Sequence, residues 1–281
     1  MEAYGSYNGT LKPLRELNAP VLDRAMYFGD GCYEAVLVSH GMGVALDFHL
    51  ERFQNSLALL KIPFPLTRKE LKNELFRCVA ATEADEVLLY WQCTRGTARR
   101  THTFPENTPP NLLIMATPKR IEAPSVEMKL ISVTDVRFSL CHIKTLNLIP
   151  NVLAAEEAKQ KGAEEAVFVR DGFVTEGTHT NVHLLKDGTL HTHPLNEHIL
   201  PGVTRRVLLE LCKQNGIPIV EQPFTLSDLK AADEVLITSS GLHVSRAVFL
   251  DGLPVGNRDA ALYRRLSDLY FKKVGLPPFH A

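Results

Sequence analysis

Lys144 lies in the run Cys141-His142-Ile143-Lys144-Thr145-Leu146-Asn147-Leu148, where an ammonium group has no acidic neighbour along the chain. An amine drawn into such apolar company loses hydration, and the neutral form able to attack a carbonyl becomes more accessible. Taken singly, a lysine of this kind is expected to snorkel to the surface. A carboxylate further on changes that expectation: Glu176, in Val174-Thr175-Glu176-Gly177-Thr178-His179-Thr180-Asn181, just after an Asp171-Gly172 turn. Amine and carboxylate together are groups that can bond to a carbonyl carbon and move protons around it. A third feature, Leu200-Pro201-Gly202-Val203-Thr204 before an apolar-periodic run, offers backbone N–H groups, a hydroxyl and the positive end of a helix dipole to an anion.

These residues need elements to carry them. A Gly-rich stretch at residues 29–31 leads into the strand Tyr33-Glu34-Ala35-Val36-Leu37-Val38, with Tyr33, Ala35 and Leu37 on one face. Leu50, Phe53, Leu57 and Leu60 keep helical spacing from about residue 47 until Pro63, and Arg52 stands off that stripe. A second helix is expected over 68–81, capped by Thr67 with Glu70 three residues on. The apolar strand 86–93 opens into a basic loop, Thr94-Arg95-Gly96-Thr97-Ala98-Arg99-Arg100-Thr101-His102-Thr103-Phe104-Pro105, and such loops on rigid supports are where ligand groups usually sit. Another strand covers 111–117. The proline-bearing piece 119–124 reads as a linker between an N-terminal α/β domain, 1–118, and a C-terminal one, 125–281, that carries Lys144. In the second half we expect a helix after Pro150 ending at Gly162, a strand over 165–170, and a single return strand running from Val174 through Asn181. A Lys186-Asp187-Gly188 hairpin turn follows, then a helix from Val203 to Gly216, a strand over 217–224, a short helix over 226–231, a strand over 234–237 and a helical tail within 257–274.

Composition narrows the classes. The 281 residues, 45% hydrophobic and 22% charged, suit a globular protein with a substantial core, and a net charge of −1 with interspersed signs provides no basic stripe for nucleic acid and no polybasic block for a membrane surface. The five cysteines are widely spaced and lack a Cys-x-x-Cys pair, which indicates neither a disulfide framework nor a zinc site, and no metal is expected. With no signal-like start and no run of membrane-spanning length, a cytoplasmic location is expected.

The elements Ile143-Lys144-Thr145-Leu146-Asn147 and Thr175-Glu176-Gly177-x-x-x-Asn181, in this order and at this separation, resemble the fold-type IV pyridoxal-phosphate enzymes. That group includes D-amino-acid, branched-chain and (R)-amine aminotransferases and aminodeoxychorismate lyase. Arg100-Thr101-His102 is similar to the Arg-x-His element of the D-amino-acid branch. The resemblance implies a two-domain α/β (α+β) fold and pyridoxal 5′-phosphate as cofactor. It also implies a homodimer that moves amino groups between D-amino acids and 2-oxo acids. In its terms Lys144 bears the coenzyme and shuttles protons, Glu176 partners the pyridine nitrogen, and Leu200 supports the ring. Arg52 (in His49-Leu50-Glu51-Arg52), Val203, Thr204 and Ser240 hold the phosphate. Tyr33, Arg100 and His102 trap the substrate carboxylate, the last two from the neighbouring subunit. Arg137, Glu165 and Asn181 support the lysine and coenzyme network. Without the resemblance, Arg52 would be assigned to a polar helix face, Glu176 to a solvated strand end and Arg100 to a solvated loop. The sequence departs from the branch at Thr178-His179-Thr180 and at Gly241-Leu242-His243. Other readings are an (R)-amine or branched-chain aminotransferase, the lyase, or a module that only binds a phosphate ligand.

Overall fold

The computed structural model describes residues 1–125 and 127–277. The chain divides into two compact units, Met1–Ile121 with Ile143–Asn147, and Glu122–His142 with Leu148–Ala281. Lys144 therefore groups with the first unit, although a linear division at the 119–124 segment puts it in the second. The cause is hydrogen bonding between distant parts of the chain: Tyr33 N donates to Lys144 O at 3.0 Å and Leu146 N to Gly31 O at 3.1 Å.

The first unit contains β1 (Tyr4–Tyr7), β2 (Thr10–Pro13), α1 (Ala25–Phe28), β3 (Gly31–Ser39), β4 (Met42–Gly43), α2 (Leu46–Leu59), α3 (Arg68–Ala81), β5 (Glu86–Thr94) and β6 (Asn111–Pro118). Its six-stranded sheet has the order β2-β1-β6-β5-β3-β4, with every neighbouring pair antiparallel. Leu50, Phe53 and Leu57 of α2, at the spacing of one helix face, are buried with Leu71 and Leu75 of α3 and with Val36, Leu89, Trp91 and Ile114 of the strands. Phe53 meets Trp91 edge-on at 5.9 Å between ring centres. At the start of α3 the Thr67 hydroxyl accepts from Glu70 N while the Glu70 carboxylate accepts from Thr67 N, the reciprocal cap expected there.

The second unit contains β7 (Met128–Thr134), α4 (Ile149–Gln160), β8 (Glu165–Arg170), β9 (Phe173–Gly177), β10 (Asn181–Lys186), β11 (Thr189–Thr192), α5 (Val203–Gln214), β12 (Ile219–Glu221), β13 (Phe224–Thr225), α6 (Leu226–Ala231), β14 (Glu234–Ser239), β15 (His243–Leu250), β16 (Leu253–Pro254) and α7 (Ala260–Val274). Its ten strands run β12-β11-β10-β14-β15-β7-β8-β9-β13, with β16 paired to β15. Apolar side chains of these strands, among them Val167, Val182, Leu184, Val235, Ile237 and Ala247, form the core with Leu229 of α6. No described helix is long and apolar enough to cross a membrane.

Two sequence expectations about strands fail, each for a physical reason. The stretch from Val174 to Asn181 is not one strand: β9 ends at Gly177, and β10 starts at Asn181 and pairs with β14. Between them Gly177 N donates to Thr180 O at 2.8 Å, closing a tight turn. A Cβ on Gly177 would lie 2.1 Å from the Thr180 hydroxyl oxygen, so only glycine fits. The expected strand over 217–224 is two short ones, β12 parallel to β11 and β13 antiparallel to β9, with Gln222-Pro223 between them. Pro223 has no N–H with which to continue a ladder.

Candidate active site

In the first unit β3 is the supporting element. Tyr33 and Glu34 are adjacent on it and point to opposite faces. On the Tyr33 side, the Lys144 Nζ lies 4.1 Å from the centre of the phenol ring, and that ring stacks on Tyr90 at 5.5 Å. Lys144 is half-buried. Its backbone N–H reaches the Ser56 hydroxyl at 3.4 Å, tying the lysine segment to α2. Thr145 bridges Cys32, and the Asn147 amide donates to Gly29 O at 2.9 Å.

On the other side Glu34 is fully buried and accepts two hydrogen bonds from Arg52, Nε to Oε1 at 2.7 Å and Nη2 to Oε2 at 2.8 Å, with His49 Nδ1 at 2.7 Å from Oε2. Arg52 is thus buried and ion-paired, and the polar-face assignment that its sequence position alone suggested is incorrect. Burial would raise the Glu34 carboxyl, but the charges and hydrogen bonds of Arg52 and His49 draw it down to about 2. Burial in turn lowers the His49 imidazole, and Glu34 opposes that.

The Arg100-Thr101-His102 loop is exposed, yet anchored from below. Phe28 of α1 receives the Arg24 guanidinium at 4.9 Å, that of Arg100 at 5.1 Å and the His102 ring at 5.3 Å. Buried Arg24 donates to Thr101 O at 2.8 Å and to Asp30 at 2.7 Å, and Asp30 also accepts from Arg95 at 2.9 Å. Arg95 in turn donates to the carbonyls of Leu60 and Lys61, while Tyr27 OH hydrogen-bonds Ala98 O. The charged tip is free to present donors because its stem is fixed.

In the second unit Glu176 is 5% exposed, not a solvated strand end. Its Oε1 accepts from Arg137 Nη1 at 2.5 Å, and its Oε2 accepts from Leu200 N at 2.9 Å and Asn181 Nδ2 at 3.1 Å. Asn181 donates as well to Leu200 O at 3.0 Å. Arg137 is itself held by Asp135 at 2.9 Å and covers the Phe168 ring at 4.2 Å. Burial pushes the Glu176 carboxyl up to about 7, against the lowering pull of Arg137 and the Leu200 N–H. A carboxyl poised there can hold a proton or accept one near neutral pH.

Glu165 is separate from this network: it is 1% exposed and accepts from Thr178 N and Oγ1 and from Thr180 Oγ1, at 3.1, 2.6 and 2.9 Å. It therefore fixes the 178–180 turn that delivers Asn181. Val203 and Thr204 are buried in the first turn of α5, where Gly202 is the cap residue and no side chain caps the helix. A Cβ at Gly202 would sit 1.9 Å from Asn181 Oδ1, so the close approach of helix and carboxylate network requires glycine. Ser240 is half-buried in the turn between β14 and β15.

Sequence reasoning missed Glu34, Asp135, Arg24 and Asp30. Glu34 alone left a signal, a carboxylate inside an otherwise apolar strand, which must find a buried cation. Three donors on Glu176, a helix start with no side-chain cap and a hydroxyl-bearing turn fit a ligand with a basic ring nitrogen and a phosphate.

Comparison with known proteins agrees with this chemistry. The family model for amino-transferase class IV matches residues 31–248. The chain is 36% identical over 255 residues to the D-alanine aminotransferase of Bacillus licheniformis, covering 89% of each. It is 38% identical over 256 residues to that of Staphylococcus epidermidis, covering 89% of this chain and 90% of the relative. The branched-chain amino acid aminotransferase of Escherichia coli shares the fold, with a TM-score of 0.89, 21% identity and coverage of 98% and 95% of the two chains. The two-unit α/β architecture and the extent of these matches agree: the chain belongs to the class IV aminotransferases.

Proposed function

We propose that the protein transfers amino groups between D-amino acids, such as D-alanine, and 2-oxo acids, using pyridoxal 5′-phosphate. The observation that carries this reading is the buried Glu176 carboxyl with its three fixed donors, on a chain whose curated relatives are D-alanine aminotransferases. When bound, the coenzyme withdraws electrons from the substrate α-carbon so that its proton can leave. Lys144 Nζ would hold the coenzyme and, as a free amine, would serve as the base that takes the substrate α-proton and the acid that gives it back. Glu176 accepts a hydrogen bond from the ring nitrogen and favours its protonated form, while Arg137 and Asn181 keep the carboxyl in place. Leu200 supports the ring.

The phosphate is bound by the N–H groups of Val203 and Thr204, the hydroxyls of Thr204 and Ser240, and Arg52, whose planar fork Glu34 orients. Tyr33, Arg100 and His102 hold the substrate carboxylate. Arg100 and His102 serve the site of a second copy, so activity requires a homodimer. The exposed Ile149, Val152 and Leu153 on α4 and Val21 and Met26 near α1 support such an association. A cytoplasmic location follows from the same reading. The test is the near-visible spectrum of the purified holoenzyme on addition of D-alanine and, separately, L-alanine. Loss of the coenzyme band with the D-isomer alone is expected, and loss with L-alanine alone overturns the D-specific assignment.

A further inference from the structure

Tyr33 has a task for which its own burial does not equip it. As proposed, its hydroxyl meets the substrate carboxylate while the Lys144 Nζ rests 4.1 Å from the centre of its ring, yet the side chain is only half-buried. Its ring plane is fixed from β5. In the antiparallel ladder Gln92 stands directly opposite Tyr33 and Tyr90 directly opposite Ala35, so all four share one face of the sheet. Ala35 is small and leaves the Tyr90 ring room to lean across to its diagonal neighbour: the two phenol rings stack at 5.5 Å between centres, with 26° between their planes. Tyr90 is held in turn, because its hydroxyl donates to Gln92 Oε1 at 2.7 Å. Burial pushes the Tyr90 phenol well above its ordinary range, and the neighbouring Tyr33 adds to this, so the hydroxyl keeps the proton it donates.

Neither Tyr90 nor Gln92 has a part in the chemistry as proposed. The run of contacts from Gln92 to Tyr90 to Tyr33 to Lys144 nonetheless ends at the reactive amine. An ammonium is drawn to the face of an aromatic ring, and the attraction depends on its standing over the π surface. A tilt of the Tyr33 ring therefore changes two things at once: the surface beneath Nζ, and the direction of the O–H bond, which keeps to the ring plane. The geometry points to Tyr90 as a positioning residue that, braced by Gln92, fixes the ring of Tyr33 and so both the resting place of the Lys144 amine and the aim of the Tyr33 hydroxyl. The first of these stands on the observed contacts alone; the second rests on the reading of Tyr33 as a contact of the substrate carboxylate.

Two measurements test this. In coenzyme-free protein whose lysines carry 13C at Cε, the Lys144 signal is identified by its absence from Lys144→Ala. Nuclei above an aromatic face are shielded, so this signal is expected upfield of the other lysines, and Tyr33→Leu should remove the displacement. Tyr90→Leu should remove most of it, whereas Tyr90→Phe, which keeps the ring and loses only the bond to Gln92, should remove less. In holoenzyme, Tyr90→Leu is expected to raise KM for D-alanine about 3- to 10-fold, the span of one ordinary hydrogen bond, and to leave KM for an amine without a carboxylate within about twofold. In a Tyr33→Phe background the same change should add nothing to the D-alanine KM, because the hydroxyl it aims is gone. Thermal unfolding reports separately on folding, and where Tyr90→Leu does not fold, Gln92→Met takes its place and should match Tyr90→Phe. An unmoved Lys144 signal or an unchanged D-alanine KM in folded Tyr90→Leu overturns the inference. An equal rise in KM for both substrates, or an additive rise with Tyr33→Phe, assigns Tyr90 to packing and overturns it as well. If Tyr33→Phe itself leaves KM for D-alanine unchanged, the carboxylate role of Tyr33 falls and the aim of its hydroxyl falls with it, and the Lys144 signal alone then decides whether Tyr90 places the amine.

Discussion

Replacing Glu34 by glutamine keeps its shape and removes its charge, leaving Arg52 and His49 buried against an amide. The carboxyl titrates near 2 in the folded chain and near its ordinary 4.5 when unfolded, so folding is linked to its ionised form. A depressed folded value means that the stabilisation is present above pH 4.5 and is lost as pH falls toward 2. At pH 7 that separation corresponds to about 3 kcal/mol. Removing one member of a buried ion pair costs about 3–5 kcal/mol by independent reasoning, because the remaining charge is stranded. Both routes predict that Glu34→Gln loses about 3 kcal/mol or more in urea denaturation at pH 7. The difference from wild type should shrink to about half by pH 3. Replacing the pair together, Glu34→Leu with Arg52→Met, should recover much of the loss in stability, since no charge is left without a partner. The same double variant should still bind pyridoxal 5′-phosphate poorly, because the guanidinium is gone. A Glu34→Gln loss under about 1 kcal/mol at pH 7 would show that the bidentate pair contributes little, and the argument from burial and charge would be refuted.

Lys144→Ala should abolish transamination while leaving the unfolding transition nearly in place, and borohydride reduction of wild-type holoenzyme should label Lys144; a label on another lysine removes the assignment. Glu176→Gln should still bind coenzyme but turn over at least about tenfold more slowly, because an amide cannot hold the ring protonated; near-normal kcat counts against it. Arg100→Ala should raise KM for D-alanine about 10- to 100-fold and spare an amine lacking a carboxylate, and mixing these chains with Lys144→Ala chains should restore activity through mixed dimers. Equal losses for both substrates, or no rescue after verified subunit exchange, would exclude the shared trap. His183 is buried between the hydroxyls of Thr192 and Thr238, and burial lowers its imidazole to about 3. The unfolded chain therefore binds the extra proton first, and this histidine alone should cost up to about 1.4 kcal/mol of stability per pH unit as pH falls from 6.5 toward 3. His183→Gln should flatten the pH dependence of denaturation in that window, and an unchanged slope would exclude a buried neutral ring.

Much of this protein is legible along the chain because it depends on neighbours in sequence. The Thr67 and Glu70 cap, the apolar stripe of α2 and the Asp171-Gly172 and Asp187-Gly188 turns, with φ positive at all four turn residues, are local devices and stand where their residue types demand. The lysine and glutamate motifs are likewise short and specific in order. Other features belong to tertiary structure alone. Whether Arg52 faces solvent or a buried carboxylate depends on β3 bringing Glu34 to it, eighteen positions away in sequence. Glu176 is buried because Arg137, Asn181 and Leu200 converge on it from three separate segments, and burial with those donors sets its proton affinity. The break after Gly177 arises from a hydroxyl cradle around Glu165, a long-range contact that outweighs the extended propensity of Thr178 and Thr180. Local propensity and spacing act over a few residues, whereas desolvation and ion pairing act wherever folding brings charges together, and only the folded chain decides that.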